Sequence, residues 1–325
     1  MINNKILHFT LGLAVAGTAA AAPVLAADYP TKPIRFIVAF PPGGPADITA
    51  RLISPKLSEI LGQPVVIENR GGAAGNVGAQ AVAKADPDGY SFLVTTTSFA
   101  VNPALWGKDA GYNAETDFVP VSIVSTQPNV IVVHQGVPVK NLGELKTLAS
   151  TKHLSYATPG NGTTPALTAD NLFQVIWKTD MTSIPYRGAG PASAAVVGGE
   201  PLVGATAVAG ILQFAKAGKV RPLAVSSQER VAALPDVPTL YELGYKDILD
   251  YTWTAVLAPK GTPPELVKTV NEAINKVIAT PELKTSFDVQ ALAAVGGTPE
   301  AFKEYLGTEL QRWAKIVKDT GAKPD

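Results

Sequence analysis

Short runs of β-branched residues alternate with amphipathic helical stretches along nearly the whole chain, and this narrows the possible folds more than any other feature. Such alternation is typical of α/β units, in which helices connect the strands of mainly parallel sheets. The sequence therefore predicts an α/β protein. The candidate strands are residues 34–38, 64–67, 91–94, 130–133, 154–157, 182–184, 223–225 and 253–257.

Three stretches between these strands carry helix start signals. Apolar residues recur every three or four positions over residues 47–61, with Asp47 as the predicted N-cap. Thr262 and Glu265 have the spacing of a capping box at the start of a second helix. Thr298, followed by a proline, predicts the start of the last helix.

Composition excludes several classes of protein. The chain has 325 residues, 46% hydrophobic and 17% charged, so it can bury a sizeable core and is expected to form two domains. Its 27 Lys and Arg residues balance 27 Asp and Glu residues, which argues against nucleic acid as a partner. The absence of cysteine excludes disulfide bonds, thiolate metal sites and cysteine nucleophiles.

The N-terminus has the features of a secretory signal peptide. Lys5 precedes a run of apolar and small residues over positions 6–22, and residues 24–26 form a small-x-small cleavage signature. A transmembrane anchor is the alternative, but the run is rich in Ala and Gly and ends at Pro23. We therefore expect residues 1–26 to be removed and the mature chain to be exported as a soluble protein.

Three glycine-containing loops follow predicted strands and precede predicted helices. They cover residues 41–47, 158–164 and 185–190. Glycines let the backbone approach a ligand closely, and a helix N-terminus offers unpaired N–H groups, so each loop is a candidate anion site. Ordinary Gly/Pro turns are the alternative for any one loop taken alone. Three such loops together favour a binding site.

Sharper motifs for catalysis are missing. No glycine loop ends in Gly-Lys-Ser/Thr, and Gly188-Ala189-Gly190 lacks the third glycine of a dinucleotide fingerprint. After residue 26 the histidines are His134 and His153, and neither stands in a metal-ligand pattern. There is no Gly-x-Ser-x-Gly elbow to present a serine nucleophile. The sequence therefore predicts a binding protein without a metal or cofactor, and not an enzyme.

Further motifs follow one another along almost the entire chain after residue 26. They are Tyr29-Pro30, Pro41-Pro42-Gly43-Gly44 with Asp47 and Arg51, Glu68-Asn69-Arg70-Gly71-Gly72, Asp86-Pro87-Asp88-Gly89-Tyr90, Asp117-Phe118-Val119-Pro120-Val121, Pro159-Gly160-Asn161-Gly162-Thr163, Pro185-Tyr186-Arg187-Gly188 and Leu234-Pro235-Asp236-Val237-Pro238-Thr239. In this order they resemble the periplasmic solute-binding proteins of tripartite tricarboxylate transport systems, the Bug or TctC-like family.

The resemblance implies a two-domain α/β fold of the type II periplasmic-binding-protein class, with a ligand cleft between the domains. Domain one would comprise residues 27–127 plus 252–325, and domain two residues 128–251. The ligand would be a small carboxylate, and the membrane permease subunits of the transporter would be the other partners. The protein would be a monomer that closes on its ligand through hinges near residues 125–129 and 250–252.

The resemblance also implies which residues hold the ligand. One set would come from domain one, another from the loop of domain two that would hold a carboxylate, and a third would close the cleft. In that order the sets are Pro42, Gly43 and Gly44 with Thr97 and Ser98; Gly160, Asn161, Gly162, Thr163 and Thr164; and Tyr186, Gly188 and Thr206.

The chain departs from the family pattern at three positions. Many relatives have Asp where Leu202 and Thr206 stand, and His where Ala166 stands. An Asp at position 206 would attract an ammonium group, so its loss favours a dicarboxylate or an aromatic acid over an amino acid. Simple repacking of domain two is an alternative explanation for Leu202 and Ala166. A sensory co-receptor and, less favoured, a periplasmic hydrolase remain the alternatives to transport.

Overall fold

The computed structural model describes residues 29–324, so the predicted signal peptide lies outside the described residues. Strands and helices alternate along this part of the chain. The strands are β1 (Ile34–Val38), β2 (Val65–Asn69), β3 (Ser91–Thr96), β4 (Phe118–His134), β5 (Ser155–Thr158), β6 (Thr182–Pro185), β7 (Val203–Ala207), β8 (Val220–Val225), β9 (Tyr251–Pro259) and β10 (Ala293–Gly296).

Ten α-helices accompany the strands in residues 29–324, and the π-helical segment Asn171–Ile176 continues the fifth. None of these helices combines the length and apolar character that crossing a bilayer requires. The helices are α1 (Pro45–Leu61), α2 (Asn76–Ala83), α3 (Ser98–Trp106), α4 (Leu142–Thr151), α5 (Thr164–Asp170), α6 (Ala189–Gly198), α7 (Leu212–Lys216), α8 (Pro264–Ile278), α9 (Pro281–Val289) and α10 (Pro299–Thr320).

The strands form two sheets with matching strand order. The first has the order β2-β1-β3-β9-β4, and β10 adds to β4. The second has the order β6-β5-β7-β4, with β8 on the other side of β4. In each sheet the first three strands are parallel and the fourth is antiparallel to the third. This arrangement is the expected two-domain α/β fold of type II periplasmic binding proteins.

Strand β4 belongs to both sheets. From Phe118 to Pro128 it pairs with β9 of the first sheet, and from Asn129 to His134 it pairs with β7 and β8 of the second. The chain returns to the first sheet at Tyr251, where β9 begins. The two sheets are therefore joined where β4 and β9 run side by side. The domain limits themselves stay a prediction.

The second sheet is buried on both faces, as the β4 side chains show. Ile131 and Val133 pack into one apolar cluster with Tyr156 and Phe173. Val130 and Val132 pack into a separate cluster with α6. Successive side chains of a strand point to opposite faces, so this alternation places helices on both sides of the sheet.

Two predicted helix caps are wrong. Gly44, not Asp47, is the N-cap of α1, because Pro45 already has helical geometry at the first position. Pro263 is the N-cap of α8, and the Thr262 hydroxyl donates instead to a backbone carbonyl of the preceding turn. The cap at Thr298 is confirmed, since its side chain accepts from the third residue of α10.

Candidate functional site

Two loops meet at the junction of the sheets. The β1–α1 loop (residues 39–44) follows the carboxyl end of β1, and the β5–α5 loop (residues 159–163) follows that of β5. β1 lies between β2 and β3, and β5 lies between β6 and β7, so both loops leave where the strand order reverses. In open α/β sheets, ligands bind at this switch point.

A cavity lies between these loops, and none of the described residues that line it has an ionisable side chain. Its volume is about 20 Å³, which is room for roughly one water molecule. The two sheets therefore lie close together at the cleft. The first sheet and its loops contribute Phe40, Gly44, Pro45, Thr96 and Thr252. The second contributes Pro159, Thr163, Thr164, Pro165, Ala189 and Ala207.

The β1–α1 loop packs directly on the start of α6 through glycines. A Cβ atom built on Gly190 would lie 2.4 Å from the carbonyl oxygen of Pro42. A Cβ atom built on Gly188 would lie 2.9 Å from the ring of Pro41. Both distances are shorter than real Cβ contacts, so any side chain at these positions would push the two loops apart. Gly188 was predicted as a ligand-binding residue, whereas Gly190 and Pro41 lie in the predicted loops without having been assigned that role.

The β5–α5 loop makes a second contact across the cleft, on α3. Gly162 has φ +83°, and a Cβ atom built on it would lie 2.7 Å from Asn102 Oδ1 and 2.8 Å from Leu105 Cδ2. Asn102 is buried and fixed, because its Nδ2 donates to Ala74 O (3.0 Å) and to Asn76 Oδ1 (2.7 Å). Gly162 therefore lets this loop sit against α3.

The predicted residues of the β5–α5 loop divide between two places. Thr163 and Thr164 line the cleft cavity. Asn161 and Gly162 line a separate groove on the other side of the loop. Gly160 is in the left-handed region at φ +117°, and its carbonyl accepts from the Thr163 N–H (3.2 Å) and hydroxyl (2.8 Å). The loop therefore closes on itself before α5 begins.

Asp47 holds the β1–α1 loop in shape. Its buried carboxylate accepts from the Gly43 N–H (3.0 Å), from Arg51 Nε (2.9 and 3.0 Å) and from Asn69 Nδ2 (2.9 Å). Asn69 Nδ2 also donates to Phe40 O (2.9 Å), at the start of the loop. Gly43, predicted to hold the ligand, thus uses its N–H within the protein.

These contacts also determine the charge state of Asp47. Burial raises the pKa of its carboxyl group, but the hydrogen bonds from Arg51, Gly43 and Asn69 outweigh burial and hold the pKa below its usual value. Asp47 is therefore a charged group whose acceptor capacity is filled by the protein. It has no free oxygen to offer a cationic ligand.

Thr97 and Ser98 lie at the start of α3, directly after β3, and both are buried. Thr97 Oγ1 accepts from the N–H of Trp253 (2.9 Å), which links the end of β3 to β9. Ser98 Oγ pairs with the hydroxyl of Thr96 (3.2 Å). Of these neighbouring hydroxyl residues, Thr96 lines the cleft cavity.

Tyr186 and Thr206 lie on the second sheet. The Tyr186 hydroxyl donates to Glu200 O (3.2 Å), outside the cleft cavity. Thr206 is buried, and its hydroxyl makes no hydrogen bond within residues 29–324. A Cβ atom built on Gly210 would lie 3.3 Å from Thr206 Oγ1 and 3.8 Å from Gly43 O. Thr206 is therefore close to the β1–α1 loop and retains hydrogen-bonding capacity.

A chain of hydrogen bonds joins the start of α5 to both crossing strands. The Thr252 hydroxyl donates to Asn129 Oδ1 (2.8 Å) and lies 2.6 Å from the Thr164 hydroxyl. Asn129 Nδ2 donates to Thr168 Oγ1 (3.0 Å), which in turn donates to Asp250 Oδ2 (3.0 Å). Asn129 and Thr252 lie in the two predicted hinge ranges, but their pairing at the cleft was not predicted, because nothing local marks residues 123 positions apart as partners.

The network continues from Asp250 into α10. Arg312 bonds to Asp250 Oδ1 (3.0 Å) and lies 3.4 Å from Glu309 Oε1. Glu309 is buried and accepts from the indole N–H groups of Trp253 (3.1 Å) and Trp313 (3.0 Å). Burial raises the pKa of Asp250 more than Arg312 and Thr168 lower it. The last helix is thereby tied to the strand crossing.

The two remaining histidines lie away from the cavity. His134 Nδ1 accepts from the Gly136 N–H (3.1 Å), and exposed His153 lies 3.3 Å from Asp180. Over residues 29–324, no group of three or more His, Cys, Asp or Glu residues could hold a metal ion. The described residues that line the cavity offer hydroxyl and backbone groups and carry no formal charge.

Comparison with known proteins identifies the family. The family model described as "Tripartite tricarboxylate transporter family receptor" matches residues 49–322. Protein BugT of Bordetella pertussis (strain Tohama I) is 36% identical over 326 residues, covering 99% of this chain and 99% of that protein.

Solved structures agree with this match. An R. palustris protein with adipate has 31% identity and a TM-score of 0.88, covering 92% of this chain and 100% of its own. MatC from Rhodopseudomonas palustris, with bound malate, has 29% identity and a TM-score of 0.83, covering 89% and 100%. The chain described here belongs to the tripartite tricarboxylate transporter receptor family of periplasmic solute-binding proteins.

Proposed function

We propose that this protein captures a small carboxylate in the cleft between its two sheets and delivers it to the permease subunits of a tripartite tricarboxylate-type transporter. The observation that carries the proposal is the cavity between the two switch-point loops. Its walls are hydroxyl, backbone and apolar groups from both sheets. Such walls bind an anion through hydrogen bonds and leave it free to depart when the cleft opens.

Neutral walls are sufficient for this task. A hydrogen bond to a charged group contributes about 1.5–3 kcal/mol, and micromolar affinity corresponds to about 8 kcal/mol. Four or five donors therefore suffice before the costs of ordering are counted. Thr96, Thr163, Thr164 and Thr252 line the cavity, and the nearby Thr206 hydroxyl has no partner within residues 29–324. The Thr163 and Thr252 hydroxyls donate to Gly160 O and Asn129 Oδ1 in this arrangement, so we propose that they turn to the ligand when it binds.

The ligand we favour carries acid groups and no ammonium group. Among residues 29–324, those that line the cavity include no carboxylate, and the Asp47 carboxylate already accepts hydrogen bonds from Gly43, Arg51 and Asn69. An ammonium group in this cleft would be desolvated without a counter-charge. The neighbours solved with adipate and malate hold ligands of this acid-only kind. A dicarboxylate or an aromatic acid meets these conditions.

Ligand entry requires the two sheets to separate. A cavity of about 20 Å³ cannot hold a dicarboxylate, so the loops must move apart to admit it and close again around it. We propose that domain one (residues 27–127 plus 252–325) and domain two (residues 128–251) move as units about the crossing strands. Removal of residues 1–26 would release the protein, as a monomer, into the periplasm.

A binding screen with matched pairs of ligands tests the proposal. The mature chain would be titrated with succinate, adipate, malate and benzoate, each followed by calorimetry and thermal unfolding. Aspartate and 2-aminoadipate serve as controls, because they add an ammonium group to succinate and adipate. At 100 times its Kd, a ligand should stabilise the fold by about 2.7 kcal/mol. Binding of aspartate as tight as that of succinate would contradict the acid-only ligand.

Two alternatives use the same fold. A sensory co-receptor would bind the same solutes but would be captured by a membrane sensor and not by the permease subunits. A pull-down with detergent-solubilised permease, with and without the bound carboxylate, separates these two. A hydrolase would need a base beside a nucleophile, whereas the described residues of the cavity lining include threonines and no ionisable side chain.

A further inference from the structure

A groove outside the cleft lies where the end of α10 approaches α5 and the π-helical segment after it. Its volume is about 310 Å³, at the lower end of the range of pockets that hold small organic ligands, about 300–1,000 Å³. It shares no lining residue with the cleft cavity. The polar side chains that matter for its chemistry are Asp170, Asn171, Gln174, Ser183, Thr320 and Lys323.

Asp170 brings a carboxylate without a counter-charge to this groove. One of its oxygens accepts from the Tyr156 hydroxyl, which also accepts from Gln174 Nε2 (2.9 Å). Within residues 29–324, no Lys, Arg or His nitrogen lies within 4.0 Å of the Asp170 carboxylate. Burial without a cation raises the pKa of Asp170 to about 6, although Tyr156 partly offsets this. The groove therefore contains an acidic group that the protein leaves uncompensated.

The end of α10 adds negative potential to the same place. Thr320 is the last residue of this 22-residue helix, and Thr320 and the C-cap Gly321 both line the groove. The final carbonyl groups of a helix lack intrahelical donors and together carry about half a negative charge. Lys323 is the basic side chain among the described lining residues, and it is exposed. Two sources of negative potential thus converge on one groove.

We infer that this groove binds a small organic cation, with its ammonium group on the Asp170 carboxylate. Asn171, Gln174 and Ser183 line the same groove, and their side-chain oxygens would accept further N–H bonds of the ligand. A metal ion is disfavoured, because the described residues hold no cluster of three acidic or imidazole ligands. This ligand class is opposite in charge to the carboxylate proposed for the cleft, so the inference does not depend on that proposal.

The groove also spans the two halves of the molecule. Trp313 and Val317 of α10 belong to the core of the first sheet, whereas Leu172 and Phe173, directly after α5, belong to a core of the second. A cation bound between them would contact both halves at once. Its binding should therefore favour the arrangement in which the two halves lie close together.

Calorimetry with putrescine tests the inference, with 1,4-butanediol as a control of equal length and no charge. The wild-type mature chain should bind putrescine and not the diol. Asp170→Asn keeps an acceptor for Tyr156 but removes the charge, and it should weaken putrescine binding at least tenfold. Asp236→Asn removes an exposed carboxylate that does not line the groove, and it should leave the Kd unchanged.

A second variant covers the case in which Asp170→Asn fails to fold. Lys323→Glu reverses an exposed charge in the groove without disturbing a core, and it should lower the Kd for putrescine severalfold. Equal affinity for putrescine and butanediol would overturn the inference. An unchanged putrescine Kd in a folded Asp170→Asn, or in Lys323→Glu, would overturn it as well.

Discussion

The hydroxyl of Thr252 donates a 2.8 Å hydrogen bond to the side-chain oxygen of Asn129, and this bond joins the two strands that cross between the sheets. Both residues are buried, and Thr252 also lines the cleft cavity. The same hydroxyl lies 2.6 Å from that of Thr164, the first residue of α5. The strand crossing and the cleft wall are therefore connected through one side chain.

Thr252→Val should separate this role from simple packing. Valine keeps the shape but leaves Asn129 Oδ1 without a donor, so the free energy of unfolding should fall by about 1–3 kcal/mol. Carboxylate binding should also weaken. Thr254→Val, on the same strand, is the control, because the buried Thr254 hydroxyl has no partner among the described residues. Urea unfolding followed by tryptophan fluorescence measures both. Equal effects of the two variants would contradict a special role for Thr252.

Asp47 should act as a positioning residue for the β1–α1 loop. Asp47→Ala removes the acceptor of Gly43, Arg51 and Asn69 and should lower both carboxylate affinity, at least tenfold, and stability, by about 2 kcal/mol. Asp47→Asn retains one acceptor oxygen and should recover part of the affinity. Asn271→Ala, which breaks bonds far from the cleft, should lower stability alone. Comparable affinity losses for the Asn271 and Asp47 variants would contradict the positioning role.

The same carboxylate should contribute to acid sensitivity. Its pKa is lower in the folded chain than the value of about 3.9 expected when unfolded. The stabilisation is therefore complete above about pH 4 and is lost as pH falls through the folded pKa. Asp47→Asn should show a shallower loss of unfolding free energy below pH 4 than the wild type, in urea titrations at pH 2.5–5.

Gly190→Ala should prevent close approach of the two halves. The added methyl group would lie 2.4 Å from Pro42 O when the cleft is closed, but it has room once the loops separate. We expect at least tenfold weaker carboxylate binding and an increased radius of gyration in small-angle scattering, with thermal stability nearly unchanged. Gly198→Ala, at the other end of α6, meets no atom within 4 Å and should behave as wild type. An unchanged Kd in Gly190→Ala would show that binding does not use this contact.

Gly162→Ala tests the contact on α3 in the same way. Its methyl group would meet Asn102 Oδ1 at 2.7 Å, and a positive φ adds backbone strain of about 1 kcal/mol. Gly218→Ala is the matched control, because Gly218 has φ +68° and no atom within 4 Å. Both substitutions should lower stability by a similar amount because of backbone strain, whereas carboxylate affinity should fall in Gly162→Ala alone. Equal affinities would mean that this loop does not dock on α3 in the ligand-bound state.

Sequence reasoning predicted well where local pattern decides structure. The first strand was predicted with its observed limits, Ile34–Val38, because a β-branched run is bounded by prolines. Strand β4 was predicted as only four residues but extends over Phe118–His134. Prolines are unusual inside strands, yet β4 contains Pro120 and Pro128; its register with β9 shifts after Pro120, and such irregularities accommodate a proline.

The site was predicted less completely, for a physical reason. The glycine loops could be found because Gly43, Gly160 and Gly188 have positive φ angles that favour glycine locally. What those loops contact depends on tertiary structure. Nothing near Gly190 indicates that Pro42 will lie against it. Equally, no local signal shows that the Gly43 N–H will be taken by Asp47, although proline at position 45 does indicate a helix start at Gly44.

The Asp170 carboxyl group should make folding less favourable as pH rises. Its pKa is about 6 in the folded chain and about 3.9 when unfolded, so the folded state holds a proton that the unfolded state has lost between pH 4 and 6. The wild type should therefore lose stability relative to Asp170→Asn across this window. Partial exposure screens the effect, and we expect Asp170→Asn to be more stable by about 1 kcal/mol at pH 8 and equal near pH 4. Urea unfolding at pH 4, 6 and 8 measures the difference, with Asp236→Asn as the control that should follow the wild type. A destabilised Asp170→Asn at pH 8 would mean that the charged carboxylate stabilises the fold, and that the groove already contains its counter-charge.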